Sequence, residues 1–249
     1  MSSKIIIGDI HGCFDTLIAL VAKFPKDIEI IVCGDLVDRG PKSKEVIQWC
    51  IDNNIKSVMG NHEKLMINFF TRDGYRDYDG WFAYNGGYTT LKSYGLDASR
   101  NAHDLSNYID KMKDDDLDIL IQHIEWMQKL PAYIEFPDIT NSDGRKLVVS
   151  HSAVNKMWKH RNDVDLDKEL FDEYITWNRD VVKGTLKQNK DIFNVFGHSP
   201  LSTKPIIKEH FALIDTGCPY ERFGILTALQ YPEMIIYQQD NIDKGDENV

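Results

Sequence analysis

The stretch IEIIVCGDLVDRGP, residues 28–41, joins an apolar run to a cluster of charges. The run IEIIVC has the length and the β-branched composition of a buried strand. Asp35, Asp38 and Arg39 follow directly after it. Charged side chains at the end of a buried strand need partners, because an unpaired buried charge is strongly unfavourable. The stretch therefore predicts a strand and, at its carboxyl end, a site that holds charge together.

Strand-like and helix-like segments alternate around this stretch. KIIIG (4–8) predicts a strand and FDTLIALVAKF (14–24) an amphipathic helix, and a second helix is expected to begin near Pro41. IKSVMG (55–60) predicts a third strand, and EKLMINFF (63–70) the helix after it. The strand–helix–strand order indicates largely parallel pairing with helices outside the sheet.

Residues 71–130 interrupt this rhythm and predict a helical insertion beside the sheet. LDILIQHIEWMQKL (117–130) has the apolar spacing of an amphipathic helix that stops before Pro131. The first part of the insertion is rich in aromatic residues, which could either stack on an adenine or form the insertion's own small core. These aromatic residues are Tyr75, Tyr78, Trp81, Phe82 and Tyr84.

Strands return in the last part of the chain. The segments are KLVVSH, IFNVFGH, HFALIDTG, GILTALQY and EMIIYQQ, and the last two predict a hairpin around Pro232. We interpret residues 1–240 as one α/β domain that includes the insertion, and residues 241–249 as a polar, frayed tail.

The composition limits the possible partners. The 249 residues include 29 Lys and Arg against 39 Asp and Glu, a formal net charge of -10, which argues against a broad nucleic-acid-binding surface. No apolar run is long enough to span a membrane. Four scattered cysteines and a start without a signal-peptide layout favour reduced thiols in a cytoplasmic protein.

The ends of the predicted strands carry the most informative pattern, because Asp, Asn or His follows each of five apolar runs. The carboxyl ends of strands in an open α/β sheet form binding sites, so these side chains are expected to converge. Asp, Asn and His without Cys suit manganese (Mn²⁺), Fe or Zn²⁺. The candidate ligands are too many for one catalytic zinc and fit two ions that share a carboxylate. They are Asp9, His11, Asp35, Asn61, His151 and His198.

With these motifs the chain resembles the phosphoprotein phosphatase family of calcineurin-like metallophosphoesterases. The matching segments are GDIHG (8–12), GDLVDRG (34–40), GNHE (60–63), SH (150–151) and GH (197–198). The D-R-G, and GHSP in place of G-H-x-H, separate the chain from the nucleases of the superfamily. NGGYTTLKSYG, WNR and IDTGC further resemble the bacterial and phage branch, which includes serine/threonine phosphatases and symmetrical diadenosine tetraphosphatases.

The resemblance implies a fold and a metal centre. The fold is a two-sheet β-sandwich flanked by helices, with a helical insertion after the third motif. Two divalent ions are expected, with Mn²⁺ first and Fe or Zn²⁺ as alternatives. Asp9, His11 and Asp35 would bind the first ion. Asp35 would bridge to the second ion, whose other ligands are Asn61, His151 and His198.

The resemblance also implies roles for the remaining charged residues. Arg39 and Arg179, with Asn61, would bind the substrate phosphate. Asp38 would pair with His62, which is expected to point away from the metals and to protonate the leaving oxygen. Outside this set, Glu63 is expected at a helix start, where a negative charge is favourable. The other histidines are expected to be surface or packing residues: His103, His123, His160 and His210.

The expected reaction is direct attack of a metal-bound hydroxide on phosphorus, without a phosphoenzyme. The first substrate class is phosphoserine and phosphothreonine in proteins, and the alternative is a dinucleoside polyphosphate that is cut symmetrically. Both use the same motifs, so the choice depends on the insertion and on residues 152–176. A catalytically silent binding module and a nuclease are less favoured.

Overall fold

The computed structural model describes residues 3–71, 78–96, 112–163, 165, 167–187 and 189–243. The strands are β1 (Lys4–Ile7), β2 (Glu29–Val32), β3 (Lys56–Ser57), β4 (Tyr133–Thr140), β5 (Lys146–Ser150), β6 (Ile192–Phe196), β7 (Ile206–Ile207), β8 (Phe211–Leu213), β9 (Ile225–Tyr231) and β10 (Ile235–Asp240). The α-helices are α1 (Phe14–Val21), α2 (Ser43–Asp52), α3 (Asn61–Thr71), α4 (Gly87–Ser93), α5 (Asp114–Met127), α6 (Lys168–Trp177) and α7 (Asp180–Lys183). A π-helical turn covers Tyr78–Ala83, and a 3₁₀ helix covers Asn155–His160.

Two mixed five-stranded sheets form the centre of the protein, in the orders β10-β9-β1-β2-β3 and β4-β5-β6-β8-β7. In the first sheet β1, β2 and β3 are parallel, and β9 pairs antiparallel with β1. In the second sheet β5, β6 and β8 are parallel. The two-sheet sandwich flanked by helices is therefore confirmed, and so is the β9–β10 hairpin at Pro232.

Alternate side chains of β1 supply two different parts of the core. Ile5 and Ile7 lie in the cluster that also contains Leu17 of α1 and Val46 of α2. Ile6 points to the other face and joins residues of both sheets in a second cluster. Because successive side chains of a strand point to opposite faces, a strand covered on both faces becomes a continuous apolar run.

Two predicted boundaries are wrong, and tertiary hydrogen bonds explain both. Helix α2 begins at Ser43 rather than near Pro41, because the N–H groups of Gly40 and Lys42 donate to the carbonyls of His11 and Gly12. The strand predicted over 55–60 ends at Ser57, since the Met59 N–H donates to the Pro131 carbonyl.

The aromatic cluster and the tail also differ from the expectations. Trp81 and Phe82 are fully buried, whereas Tyr84 is 74% exposed. Tyr75 lies outside the described residues. Residues 241–243 are not frayed, because Asp243 accepts hydrogen bonds from α1, and residues 244–249 lie outside the described part. Among the described residues, no helix has the length and the apolar character needed to cross a membrane.

Candidate metal centre

The six predicted ligands are buried side chains at the carboxyl ends of parallel strands of both sheets. The first sheet delivers four of them through the chain after β1, β2 and β3, and the second delivers two through the chain after β5 and β6. None is more than 5% exposed; they are Asp9, His11, Asp35, Asn61, His151 and His198. The strand-end pattern therefore located residues that the fold brings to one region.

Asp35 lies between two groups of potential ligands. One group contains His11, Asp35 and His62, and the other contains Asp35, His151 and His198; within each group the donor atoms lie within 4.8 Å of one another. Asp35 Oδ2 is 3.5 Å from His11 Nε2, and Oδ1 is 3.4 Å from His151 Nε2. One carboxylate thus faces both groups, as a residue shared by two cations must.

The second group presents lone pairs to one small space. Asn61 Oδ1 lies 2.8 Å from both His151 Nε2 and His198 Nδ1. His151 Nδ1 donates to the Cys33 carbonyl at 2.8 Å, so that its Nε2 is an acceptor. Burial lowers the pKa of His151 to about 4, which keeps the ring neutral at pH 7. Amide and imidazole acceptors that face each other fit a cation between them.

The first group is oriented in the same way. His11 Nδ1 donates to the Val37 carbonyl at 2.9 Å, so that Nε2 is left as an acceptor that could bind a metal. In this structure the Arg39 guanidinium is hydrogen-bonded to Nε2. Asp9 does not belong to the compact group: its two oxygens accept from the His198 N–H at 3.2 and 3.0 Å. Asp9 therefore lies at the contact between the loops that follow β1 and β6.

His62 takes a different orientation from the predicted one. Its Nδ1 lies 2.6 Å from Asp38 Oδ2, as the resemblance implied. The expectation that the ring points away from the metals is wrong: Nε2 lies 3.9 Å from Asp35 Oδ2, and the ring packs edge-on against His11 with centroids 4.6 Å apart. The pull of Asp38 on Nδ1 turns Nε2 toward the centre.

The two arginines differ in their setting. The half-buried Arg39 stacks on the Tyr220 ring at 5.0 Å, whereas Arg179 is exposed beside α7. Burial raises the pKa of Asp35 to about 7, although the His62 N–H and the charges of Arg39 and Arg179 act in the opposite direction. The guanidinium groups of Arg39 and Arg179 therefore both lie close enough to Asp35 to affect its pKa.

Asp215 is a further acid of the centre that the sequence interpretation missed. It is buried, and its carboxyl group lies close enough to that of Asp9 to affect the pKa of Asp9. Burial raises the pKa of Asp215 to about 7, and burial together with Asp215 and Asp35 raises that of Asp9. Such crowded acids are stabilised by cations, so the donor set fits metal ions. A signal was available, because Asp215 follows β8 just as the predicted ligands follow their strands.

The backbone supports the same location. His11, Asp35, Asp38, Arg39 and His198 all have positive φ, a sparsely populated region that concentrates at functional sites. Gly197 allows a close approach, since a Cβ there would lie 1.8 Å from Asp9 Oδ1. Glycine is therefore required before His198, because a side chain at position 197 would collide with the Asp9 carboxylate.

Known proteins share these features. The chain matches the family described as "Calcineurin-like phosphoesterase" over residues 4–218. The asymmetrical bis(5'-nucleosyl)-tetraphosphatase PrpE of Anoxybacillus flavithermus is 26% identical over 92% of this chain and 90% of its own. Serine/threonine-protein phosphatase 2 of Salmonella typhimurium is 26% identical over 78% of each chain. A solved serine/threonine phosphatase from Saccharomyces cerevisiae has a TM-score of 0.56 at 13% identity, covering 98% of this chain and 81% of its own.

Proposed function

Since the chain belongs to the calcineurin-like phosphoesterase family, whose members hydrolyse phosphoester bonds, we propose that it is a dinuclear metal-dependent phosphatase acting on phosphoserine and phosphothreonine in proteins. The observation that carries the proposal is the position of Asp35, which faces two ligand groups while the His62–Asp38 pair lies beside it. A pair of ions bridged by a carboxylate, next to a proton donor, is an arrangement suited to phosphoester hydrolysis.

The proposed ligands divide between the two ions around Asp35. His11 and Asp9 would serve one ion, and Asn61, His151 and His198 the other. When bound, the two cations, most simply Mn²⁺ with Fe or Zn²⁺ as alternatives, lower the pKa of a coordinated water and neutralise charge on the phosphate. The nitrogen and oxygen donors are compatible with all three metals.

The chain's own groups would bind the phosphate and move one proton. Arg39 and Arg179 offer planar guanidinium groups that can each hold two phosphate oxygens, and Asn61 can donate from its amide. His62 Nε2 would give its proton to the leaving oxygen as the P–O bond breaks, while Asp38 holds Nδ1. Water would supply the oxygen of the new P–O bond as the bond to the leaving oxygen breaks, so the proposed reaction has no phosphoenzyme.

The burial of Trp81 and Phe82 supports the phosphoprotein ranking. They are two of the five aromatic residues that could stack on an adenine, and neither exposes surface to a ligand, whereas Tyr84 is exposed. A second candidate function is hydrolysis of dinucleoside polyphosphates, symmetrical or asymmetrical. The name of the relative from Anoxybacillus flavithermus, which covers 92% of the chain, favours it.

A comparison of two substrates tests this ranking. We expect the Mn²⁺-loaded protein to release phosphate from a phosphothreonine peptide faster than it cleaves diadenosine tetraphosphate. Product analysis by chromatography separates symmetrical from asymmetrical cleavage of the nucleotide. Rapid nucleotide cleavage with negligible peptide turnover would put the second candidate first.

Substitution of His62 tests the proton donor. His62→Asn should lower kcat on the peptide by roughly 10²–10⁴, the contribution of a general acid. Metal content, measured by mass spectrometry of the dialysed protein, should not change. His160→Asn is the matched control, because His160 also pairs with an aspartate, Asp163 at 2.7 Å, but on the surface. A His62→Asn protein with the wild-type rate would remove His62 from the mechanism.

A further inference from the structure

We propose that Trp81 and Thr90 are positioning residues for the His62–Asp38 pair, through which the insertion takes part in protonation of the leaving group. The inference rests on the proposed function, because it explains why the Asp38 carboxylate has hydrogen-bond partners other than His62. It also gives residues 78–96 a role other than nucleotide binding.

Two side chains of the insertion hold the Asp38 carboxylate, which is fully buried. Trp81 Nε1 donates to Oδ2 at 2.9 Å and to Oδ1 at 3.1 Å. Thr90 Oγ1 donates to Oδ1 at 2.7 Å, and the Asp38 N–H lies 2.8 Å from the same hydroxyl oxygen. Together with His62 at Oδ2, these donors satisfy both oxygens and fix the plane of the carboxylate.

The indole that makes these contacts is itself held firmly. Trp81 is fully buried, and its ring lies 4.7 Å from that of Phe69, centroid to centroid. On Gly87, at the start of α4, a Cβ would lie 2.6 Å from indole Cε2. A ring packed this closely has one available orientation, so its N–H is preorganised toward Asp38.

The same segment also contacts the backbone of the neighbouring arginine. The Arg39 N–H donates to the Gly86 carbonyl at 3.3 Å, and a Cβ on Gly86 would meet the Arg39 nitrogen at 2.6 Å. Trp81 and Thr90 therefore contact Asp38, and Gly86 contacts the backbone of Arg39. The insertion fixes the proton donor's partner and a phosphate-binding residue at the same time.

The chemical consequence concerns only reactions in which the leaving oxygen needs a proton. Without its two donors, Asp38 can rotate and His62 Nε2 loses its fixed direction. A phenolate or alkoxide leaves poorly unless it is protonated as the P–O bond breaks, whereas a dinitrophenolate leaves as the anion. Loss of positioning should therefore slow hydrolysis of substrates with a phenolate or alkoxide leaving group, and should have little effect on a dinitrophenyl ester.

Variants that remove one donor and keep the shape test this expectation. Trp81→Phe retains an aromatic ring, and Thr90→Val retains the branched side chain. In the Mn²⁺-loaded protein, each should lower kcat on phenyl phosphate about 10-fold, the effect of one hydrogen bond to a charged group. With 2,4-dinitrophenyl phosphate, kcat should stay within about twofold, because proton donation contributes little there. KM should be unchanged for both substrates.

Two controls separate positioning from general damage. Tyr94→Phe removes another buried hydrogen bond of the insertion, that between Tyr94 and His123 at 2.6 Å, and should leave both rates unchanged. In a His62→Asn background, Trp81→Phe should change the phenyl phosphate rate by less than about twofold, since the residue through which it acts is gone. Metal content should match that of the wild type in every variant.

The outcomes distinguish this inference from the function on which it rests. A wild-type protein that hydrolyses neither aryl phosphate would overturn both. An active wild type whose Trp81→Phe and Thr90→Val variants lose both substrates equally, or neither, would overturn the positioning role and leave the phosphatase in place. If Trp81→Phe fails to fold, Thr90→Val alone decides by the same comparison.

Discussion

Glu63 is the residue that ties the loop after β2 to the start of α3. Its Oε2 accepts from the N–H groups of Asp35 at 2.9 Å and Gly60 at 2.8 Å, and its Oε1 accepts from Leu36 at 2.7 Å. Burial, with the nearby Asp35, raises the pKa of Glu63 to about 7, although the N–H groups of Leu36 and Asp35 act in the opposite direction. Glu63 therefore holds the loop after β2 by hydrogen bonds, in addition to its favourable position at the start of α3.

Glu63→Gln should weaken both the fold and the metal centre. The amide NH₂ would face a backbone N–H where an oxygen now accepts, so we expect the free energy of unfolding to fall by about 1–3 kcal/mol. Because Glu63 holds Asp35 in place, the variant should also retain less Mn²⁺ after dialysis. Urea unfolding and metal analysis measure the two effects.

Glu29→Gln is the control for Glu63→Gln. Glu29 is the first residue of β2, is partly exposed and pairs with Lys4 and Lys56. Loss of such a pair should cost less than about 1 kcal/mol and leave the metal content unchanged. Equal metal loss in both variants would contradict the assignment of Glu63 to the centre.

At the scale of elements, one buried imidazole connects three helices. His123 of α5 accepts at Nδ1 from the Tyr94 hydroxyl, just after α4, at 2.6 Å. Its Nε2 donates to Gln48 Oε1 of α2 at 3.0 Å. Burial, assisted by Lys44, lowers the pKa of His123 to about 4. His123 is thus a packing residue, as the sequence predicted.

This imidazole should make the protein less stable in acid. An unfolded histidine binds its proton near pH 6.5, whereas folded His123 does so only near pH 4. Between these values the unfolded chain binds more protons, so stability falls as the pH is lowered. In urea unfolding, we expect wild type to lose about 1 kcal/mol more than His123→Gln between pH 7 and pH 5. The exposed His160→Gln should behave as the wild type; an identical pH dependence for His123→Gln would contradict the prediction.

Local sequence identified elements and strand-end residues better than it identified their partners. Asp35 and His151 were found because each follows an apolar run, a pattern visible within a few residues. The contact of Trp81 with Asp38 spans 43 positions and leaves no periodic trace. The start of α2 was misplaced for the same reason, since its limits depend on hydrogen bonds to the loop at His11.

At the scale of the whole molecule, the candidate metal centre joins the two sheets. The His198 N–H, after β6 of the second sheet, donates to Asp9, after β1 of the first. His151, after β5, donates to the carbonyl of Cys33, after β2. Ions held by ligands from both sheets would therefore stabilise the sandwich as well as the reaction.

The end of the described chain packs against the N-terminal end of α1. Asp243 follows β10 and is 8% exposed. Its Oδ1 accepts from the Asp15 N–H at 3.1 Å, and its Oδ2 accepts from the Thr16 N–H at 2.9 Å and hydroxyl at 2.6 Å. Cys13, at the N-cap position of α1, makes no side-chain capping bond. Asp243 therefore caps α1 from 227 to 228 positions away.

Asp243→Ala should lower the free energy of unfolding by about 1–2 kcal/mol, the cost of losing a helix cap. Urea unfolding measures this loss, and the exposed Asp240→Ala should show little change. Because α1 starts directly after the loop of Asp9 and His11, the same variant also tests whether the cap holds that loop in place. The loop has its own bonds to the carbonyls of Asp35 and Leu36, so we expect metal content and kcat to be unchanged. A loss of metal without a loss of stability would assign Asp243 to the centre instead of the helix.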